Sequence, residues 1–295
     1  MSAYRRTMKT PGTVIAIGNQ KGGTGKSTVT VHLAAALGLT GKRCLILDLD
    51  PASGATKHLG VPVDTFAGTL ELLTADEPLE SYVVTKGMPT GVELVPSRPQ
   101  LAELEASLCR FTDRTRLLER AIDEARSGYD YVFLDTSPSA GFATTVAAYS
   151  AAEWFLLTAF PHPLSLAGLS EAFRDIADVR RLRNPSLEVL GVLLTNVDRR
   201  AKRMRMQIDA AIEQAVPGRL FKTSISQAIA FPEASGLGCT VFQLPAGSQG
   251  SSALQFLDVA WEVAHRVAGR EAFLRGELGP ALHTPSAQIK NQLVA

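Results

Sequence analysis

Residues Gly18 to Ser27 read G-N-Q-K-G-G-T-G-K-S, and their types and spacing suit phosphate chemistry. Gly22, Gly23 and Gly25 let backbone N–H groups, that of Thr24 among them, wrap phosphate oxygens with no Cβ in the way. Lys26 is spaced to reach the β- and γ-phosphates and the Ser27 hydroxyl to bind Mg²⁺. Thr28 and the start of a following helix add donors and a favourable dipole. The common pattern G-x(4)-G-K-[ST] would place its first glycine at position 20, where this chain has Gln20. The loop also carries a second lysine, Lys21, which a plain phosphate cradle does not need.

Carboxylates complete such a site. Asp135 ends the apolar run YVFL, where it can hold Mg²⁺. Asp48 and Asp50 end the run CLIL in the segment DLDP, and strand alternation puts both on one face. Asp50 is the candidate for work beside the metal, as a ligand or on the attacking water. Asp48, two residues deeper, reads as structural or as support for its neighbours.

These groups converge only if strands end at a common edge. Short β-rich runs alternate with helical stretches, the signature of an α/β fold with a mostly parallel sheet flanked by helices. The expected strands are 13–18, 44–49, 92–95, 131–134, 154–158 and 189–195. The expected helices are 26–37, 101–107, 115–127, 166–182, 204–215 and 252–267, the last with an apolar stripe at Leu254, Leu257, Ala260, Trp261 and Ala264. Ligands in open α/β sheets bind outside the carboxyl ends of the strands, so Asp50 and Asp135 should face the glycine loop. One domain is expected over about residues 11–270, with an N-terminal extension 1–10 and a loosely ordered tail 271–295 containing Gly276, Gly279, Pro280 and Pro285.

Composition narrows the classes. The chain has 295 residues, 45% hydrophobic, and a net charge of +1, so an acidic partner must be met by a local patch. Such a patch exists in DRRAKRMRMQ, where Arg199, Arg200, Lys202, Arg203 and Arg205 fall within seven residues. That run suits phosphates along DNA; a solvated helix start is the plainer reading. Without interleaved aromatics, contact with DNA would be through backbone charge and independent of sequence. Arg180, Arg181 and Arg183 end another helix and can simply complement its dipole. Cys44, Cys109 and Cys239 lack zinc or disulfide spacing. No apolar run reaches the ~18 residues of a membrane span, and the segment MSAYRRTMKTPG has no hydrophobic stretch behind it, so a cytoplasmic protein is expected.

The loop KGGTGKST, the segment DLDP and the run YDYVFLD together resemble the ParA/MinD family of deviant-Walker P-loop ATPases. AAEWFLLTAFPHPLSLAGLSE, VLLTNVDRRAKRMRMQ and FPEASGLGCTV extend the likeness to its ParA (Soj-like) partition branch, over about residues 11–268. The resemblance implies ATP and Mg²⁺ as cofactors and an ATP-dependent homodimer. In it Lys21 would cross to the partner's bound ATP, and Asp50 would be the catalytic aspartate. It further implies non-specific DNA as a partner, a nucleoid-associated location, and a ParB-type or cargo-adaptor protein that stimulates slow hydrolysis while a plasmid, chromosome or other cargo is segregated. Asn196 could bond the adenine or simply form a turn.

The chain departs from the family in DPASG, where DPQGN is frequent, in DTSPS after Asp135, and in Ile225-Ser226-Gln227-Ala228 where IPRN is usual. These departures bear on adenine contacts and on coupling to a partner. A MinD-like membrane-associated regulator of division-site placement would need an amphipathic C-terminal helix, which the Gly- and Pro-bearing tail does not suggest. An iron-protein reductase of the same fold would need paired cysteines.

Overall fold

Six runs of β-branched and aliphatic residues pair into one parallel sheet in the computed structural model, which describes residues 11–279 apart from 76, 109–111, 140–142 and 246. The N-terminal extension 1–10, Cys109 and the tail from residue 280 lie outside the described residues. The strands are β1 (Thr13–Gly18), β2 (Cys44–Asp48), β3 (Val92–Val95), β4 (Tyr131–Asp135), β5 (Trp154–Ala159) and β6 (Glu188–Leu194), in the order β3-β2-β4-β1-β5-β6. They match the expected strands to within a residue or so at each end.

Each strand is buried on both faces, because helices cover both. Ile15 and Ile17 of β1 point to one core, with Val29 and Leu33 of α1 (Lys26–Leu39), Ala55 of α2 (Gly54–His58) and Phe256 of α10 (Gly250–Ala268). Val14 and Ala16 point to the other core. That core also holds Leu118 of α5 (Thr112–Gly128), Ala147 of α6 (Ala143–Ala151), Ile176 of α7 (Pro163–Leu182) and Ile212 of α8 (Lys202–Ala215). The remaining helices are α3 (Thr69–Leu72), α4 (Leu101–Leu108), α9 (Ala230–Gly236) and α11 (Arg270–Leu274).

The helices that periodicity did not announce are α2, α3, α6, α9 and α11. Four of them are too short to show a stripe. In α6, ATTVAAYSA, five residues are buried and no polar face marks the period. The region from 271, expected as a loose tail, begins inside α11, whose Phe273 is buried with Arg219 4.2 Å and Arg266 4.9 Å from its ring centroid. The aromatic ring and two cations hold that turn against the domain.

Beyond β6 the segment 219–227 runs alongside it through isolated parallel bridges, Val192 to Leu220 and Val197 to Ser226. Arg266 donates to the carbonyls of Leu190 and Leu220 at 2.7 and 2.8 Å, so α10 covers groups an edge would leave open. Among the described residues no helix is long and apolar enough to cross a membrane.

Candidate functional site: a phosphate loop between two carboxylate-bearing strands

The loop leaves β1 and turns directly into α1. Gly25 stands at φ 81°, in the left-handed region that side chains avoid, and caps α1 without a side-chain acceptor. Gly22 and Gly23 are exposed, with open space where a Cβ would stand. The backbone there is accessible to an anion, and the orphan N–H groups of the first turn of α1 lie beside it.

Neighbouring strand ends brace the loop. Asn19 Nδ2 donates to Thr158 O at 2.5 Å, and its Oδ1 accepts from Lys21 N at 2.9 Å. Thr24 and Thr158 share a hydroxyl bond of 3.0 Å, and Thr195 Oγ1 donates to Thr24 O at 2.9 Å. None of Asn19, Thr158 or Thr195 was singled out from sequence. Thr158 and Thr195 follow apolar runs, and only the pairing of β5 and β6 next to β1 brings them under the loop.

The carboxylates do converge. Asp48 and Asp135 are register partners on β2 and β4. Asp135 is fully buried and accepts from Thr30 Oγ1 at 3.1 Å on Oδ1, while its Oδ2 has no hydrogen-bond partner. Burial raises the Asp135 carboxyl; the Ser27 hydroxyl and Lys26 pull it back, and Asp50 pushes it up again. A buried, unpartnered carboxylate oxygen beside a serine hydroxyl fits a hard divalent cation, which takes oxygen ligands. These two residues, with phosphate oxygens, suit Mg²⁺.

Asp48 serves the turn rather than the open site. It is fully buried and accepts from Thr56 N at 2.9 Å, Thr56 Oγ1 at 2.6 Å and Asp50 N at 3.2 Å. Burial, then Asp135, raises its carboxyl. Ser97 Oγ donates to Asp50 O at 2.8 Å and Ser97 N to Thr56 Oγ1 at 2.9 Å, so β3 also fixes the turn. Asp50 is itself buried, at 9% exposure, with Oδ1 accepting from Ala52 N at 2.9 Å. In the departing segment DPASG, Gly54 matters: a Cβ there would overlap Ser27 Oγ.

The two lysines have different surroundings. Lys26 is 7% exposed, and burial lowers its ammonium while Asp135 and Asp50 hold it up. Its Nζ reaches Lys21 O at 3.5 Å. Lys21 points away, its stem lying on α7 so that a Cβ at Gly168 would stand 3.5 Å from Cε. Gln20, where a glycine is usual, donates its side-chain amide to Asp175 of the same helix. Thr28 contributes its carbonyl to His32 Nδ1 at 2.8 Å.

Asn196 follows Thr195 at φ 52°, exposed, in the turn conformation that asparagine tolerates. The basic stretch lies beyond it, and its five cations are not equivalent. Arg200 pairs with Asp198 at 3.0 Å, and Arg205 with Asp209 at 2.6 Å. Arg199, Lys202 and Arg203 are exposed. A cavity of about 1010 Å³ lies away from the loop, between α8, α10 and α11, against Phe221, Trp261 and Phe273. The phosphate site is an open rim, as backbone capture of a phosphate chain requires.

A strand–loop–helix cradle at the carboxyl edge of a parallel sheet, with carboxylates on the two strands beside it, defines a P-loop nucleotide-binding protein. An AAA domain family model matches residues 12–189. The chain is similar to the sporulation initiation inhibitor protein Soj of Bacillus subtilis, 31% identical over 86% of this chain and 98% of that one. It is similar also to the chromosome-partitioning ATPase Soj of Thermus thermophilus, 36% identical over 86% of this chain and 96% of that one. Among solved structures, cobyrinic acid a,c-diamide synthase from Mycobacterium smegmatis with bound ATP analog and magnesium superposes with a TM-score of 0.72 at 25% identity, over 92% of this chain and all of that one. The chain belongs to the ParA/MinD family of deviant-Walker P-loop ATPases, in its Soj-like partition branch.

Proposed function

We propose that this ParA-type ATPase dimerises when it holds ATP, binds DNA without sequence preference, and segregates or positions cargo with a partner that stimulates hydrolysis. The observation that carries the reading is the division of labour between the lysines, Lys26 buried between Asp50 and Asp135 and Lys21 outside on α7. A single nucleotide needs only the first. A second cation at the rim has use when another nucleotide is brought opposite, and it ties association to ATP.

The exposed amides at Gly22 and Gly23, with Lys26, bind and orient the triphosphate. Ser27 and Asp135 would hold Mg²⁺, which would supply positive charge to offset that on the phosphate oxygens. Asp50, fixed from below by the Asp48, Thr56 and Ser97 network, orients the attacking water and takes its proton. Asn196, exposed at the rim, is available to the adenine. Arg199, Arg200, Lys202, Arg203 and Arg205 form the face turned to the DNA backbone.

The Soj relatives support the partition reading over the division-site one. In the region after residue 270, the described helix α11 packs its Phe273 into the domain. Retention on duplex DNA and on anionic liposomes, each with and without ATP, tests the proposal. Retention on DNA that requires ATP is expected, and ATP-dependent retention on liposomes instead would overturn it.

A further inference from the structure

Trp261 falls in the apolar stripe of α10, yet it belongs to none of the apolar cores formed by the described residues. Leu257 and Ala260 of the same stripe are buried, and Leu254 and Ala264 pack against their core. Trp261 instead lines the cavity of about 1010 Å³ between α8, α10 and α11. Its indole Nε1 is buried and has no hydrogen-bond partner. A buried donor without an acceptor is unfavourable, and native folds keep few of them.

A second such donor stands on the same wall. Arg219 begins the segment beside β6, and its backbone is pinned there, with Val192 N donating to Arg219 O at 2.9 Å. Its guanidinium lies over the Phe273 ring, and the buried Nη1 has no partner. Burial disfavours the charge on Arg219, which Glu188 supports and Arg180 opposes. Glu188, however, is already held by Arg180 through two hydrogen bonds, at 2.9 and 3.2 Å.

The carboxylates of the wall are engaged as well. Asp209 pairs with Arg205 and Glu262 with Arg266, both at 2.6 Å. Glu213 accepts from Gly218 N at 2.7 Å, and Asp258 is not free either. Arg275 pairs with Glu277 at 2.7 Å. The charge left to face a ligand is that of Arg219 and of the exposed Lys222, so the cavity favours an anion. Leu274 and Leu278 give it an apolar side. Its volume is at the upper end of the ~300–1,000 Å³ usual for small-molecule sites.

We propose that this cavity binds a small organic anion with a planar apolar body, an aromatic carboxylate in the simplest case. The acid group accepts from Arg219 and from the Trp261 indole N–H, Lys222 adds charge at the rim, and the apolar body lies against Leu274 and Leu278. The site is separate from the phosphate loop and independent of the DNA reading.

Calorimetric titration of the full chain with indole-3-acetate, and with uncharged indole-3-acetamide, tests it. The amide should bind about tenfold or more weakly, the usual worth of a charge-assisted hydrogen bond. Arg219→Gln should erase that difference and Lys222→Gln should reduce it. Arg181→Gln, which removes an exposed cation paired with Asp178 on α7, should leave it unchanged. The chain has two tryptophans, so a ¹⁵N spectrum holds two indole N–H signals, which Trp261→Phe assigns. The acid should shift the Trp261 signal and leave that of the fully buried Trp154 in place. Equal affinity for acid and amide, an unmoved Trp261 signal, or no binding by the wild-type protein would overturn the proposal. Displacement of the acid by ATP and Mg²⁺ would assign its binding to the phosphate loop and equally overturn it.

Discussion

Lys21 and Lys26 lie five residues apart in one loop and meet opposite surroundings, one on the flank of α7, the other buried among carboxylates. Lys21→Ala should therefore bind ATP as a monomer, because Lys26 and the loop amides remain, and fail to dimerise. Light scattering with ATP and Mg²⁺ checks this; a normal ATP-dependent dimer would place Lys21 in service of its own chain. Asp50 is buried, yet the Asp48 and Ser97 contacts to it go through its backbone N and O, so loss of its carboxylate leaves those bonds in place. Asp50→Ala should keep ATP affinity, slow hydrolysis by about 10²-fold or more, and accumulate the ATP dimer. Steady-state turnover at wild-type rate would return Asp50 to a structural role.

At the scale of elements, the site depends on the path from β2 through the DLDP turn into α2. Asp48 anchors that path by accepting from Thr56 and Asp50, and Gly54 lets it pass against Ser27 at the start of α1. Gly54→Ala should force the two elements apart, because the neighbour is the short Ser27 side chain at the start of α1 rather than a pliable chain end. The usual cost of such overpacking is about 1–3 kcal/mol. Thermal unfolding and ATP titration together check it: a lower Tm with weaker Mg²⁺-dependent ATP binding is expected. An unchanged ATP affinity would mean that Ser27 moves freely.

At the scale of the whole molecule, His32 and His58 join α1, α2, α10 and the 241–243 turn in one apolar core. Their rings lie 5.0 Å apart, His32 stacks on Phe256 at 4.9 Å, and Val241 N donates to His32 Nε2 at 3.1 Å. Burial, and for His32 its histidine neighbour, depresses them to about 3 for His32 and about 4 for His58. Both values lie below the unfolded value near 6.5, so between about pH 6.5 and 4 the unfolded chain binds more protons. Stability is then complete above that window and falls as pH drops, by up to about 1.4 kcal/mol per pH unit for each histidine. Urea unfolding at pH 7 and pH 5 checks this against His58→Leu, whose pH slope should be shallower. An identical slope in that variant would remove His58 from the acid response.

The sequence by itself determined the parallel α/β class, the six strands and the phosphate chemistry of the loop. Those signals are local: apolar runs of strand length, and glycines with a lysine and a serine at fixed spacing. Family membership was legible from the same short motifs. Tertiary structure alone decided which neighbours finish the site. Thr158 and Thr195 are 134 and 171 residues from Thr24, and become its partners only because β5 and β6 lie beside β1. Asp48 could not be assigned from alternation, which orients a side chain without saying what meets it; Thr56 does. Five cations in seven residues read as one patch, yet Asp198 and Asp209 offset two of them while serines from distant segments hold Arg199. Charge is written in the sequence, but whether it is cancelled or presented depends on which acceptors folding delivers within hydrogen-bond reach.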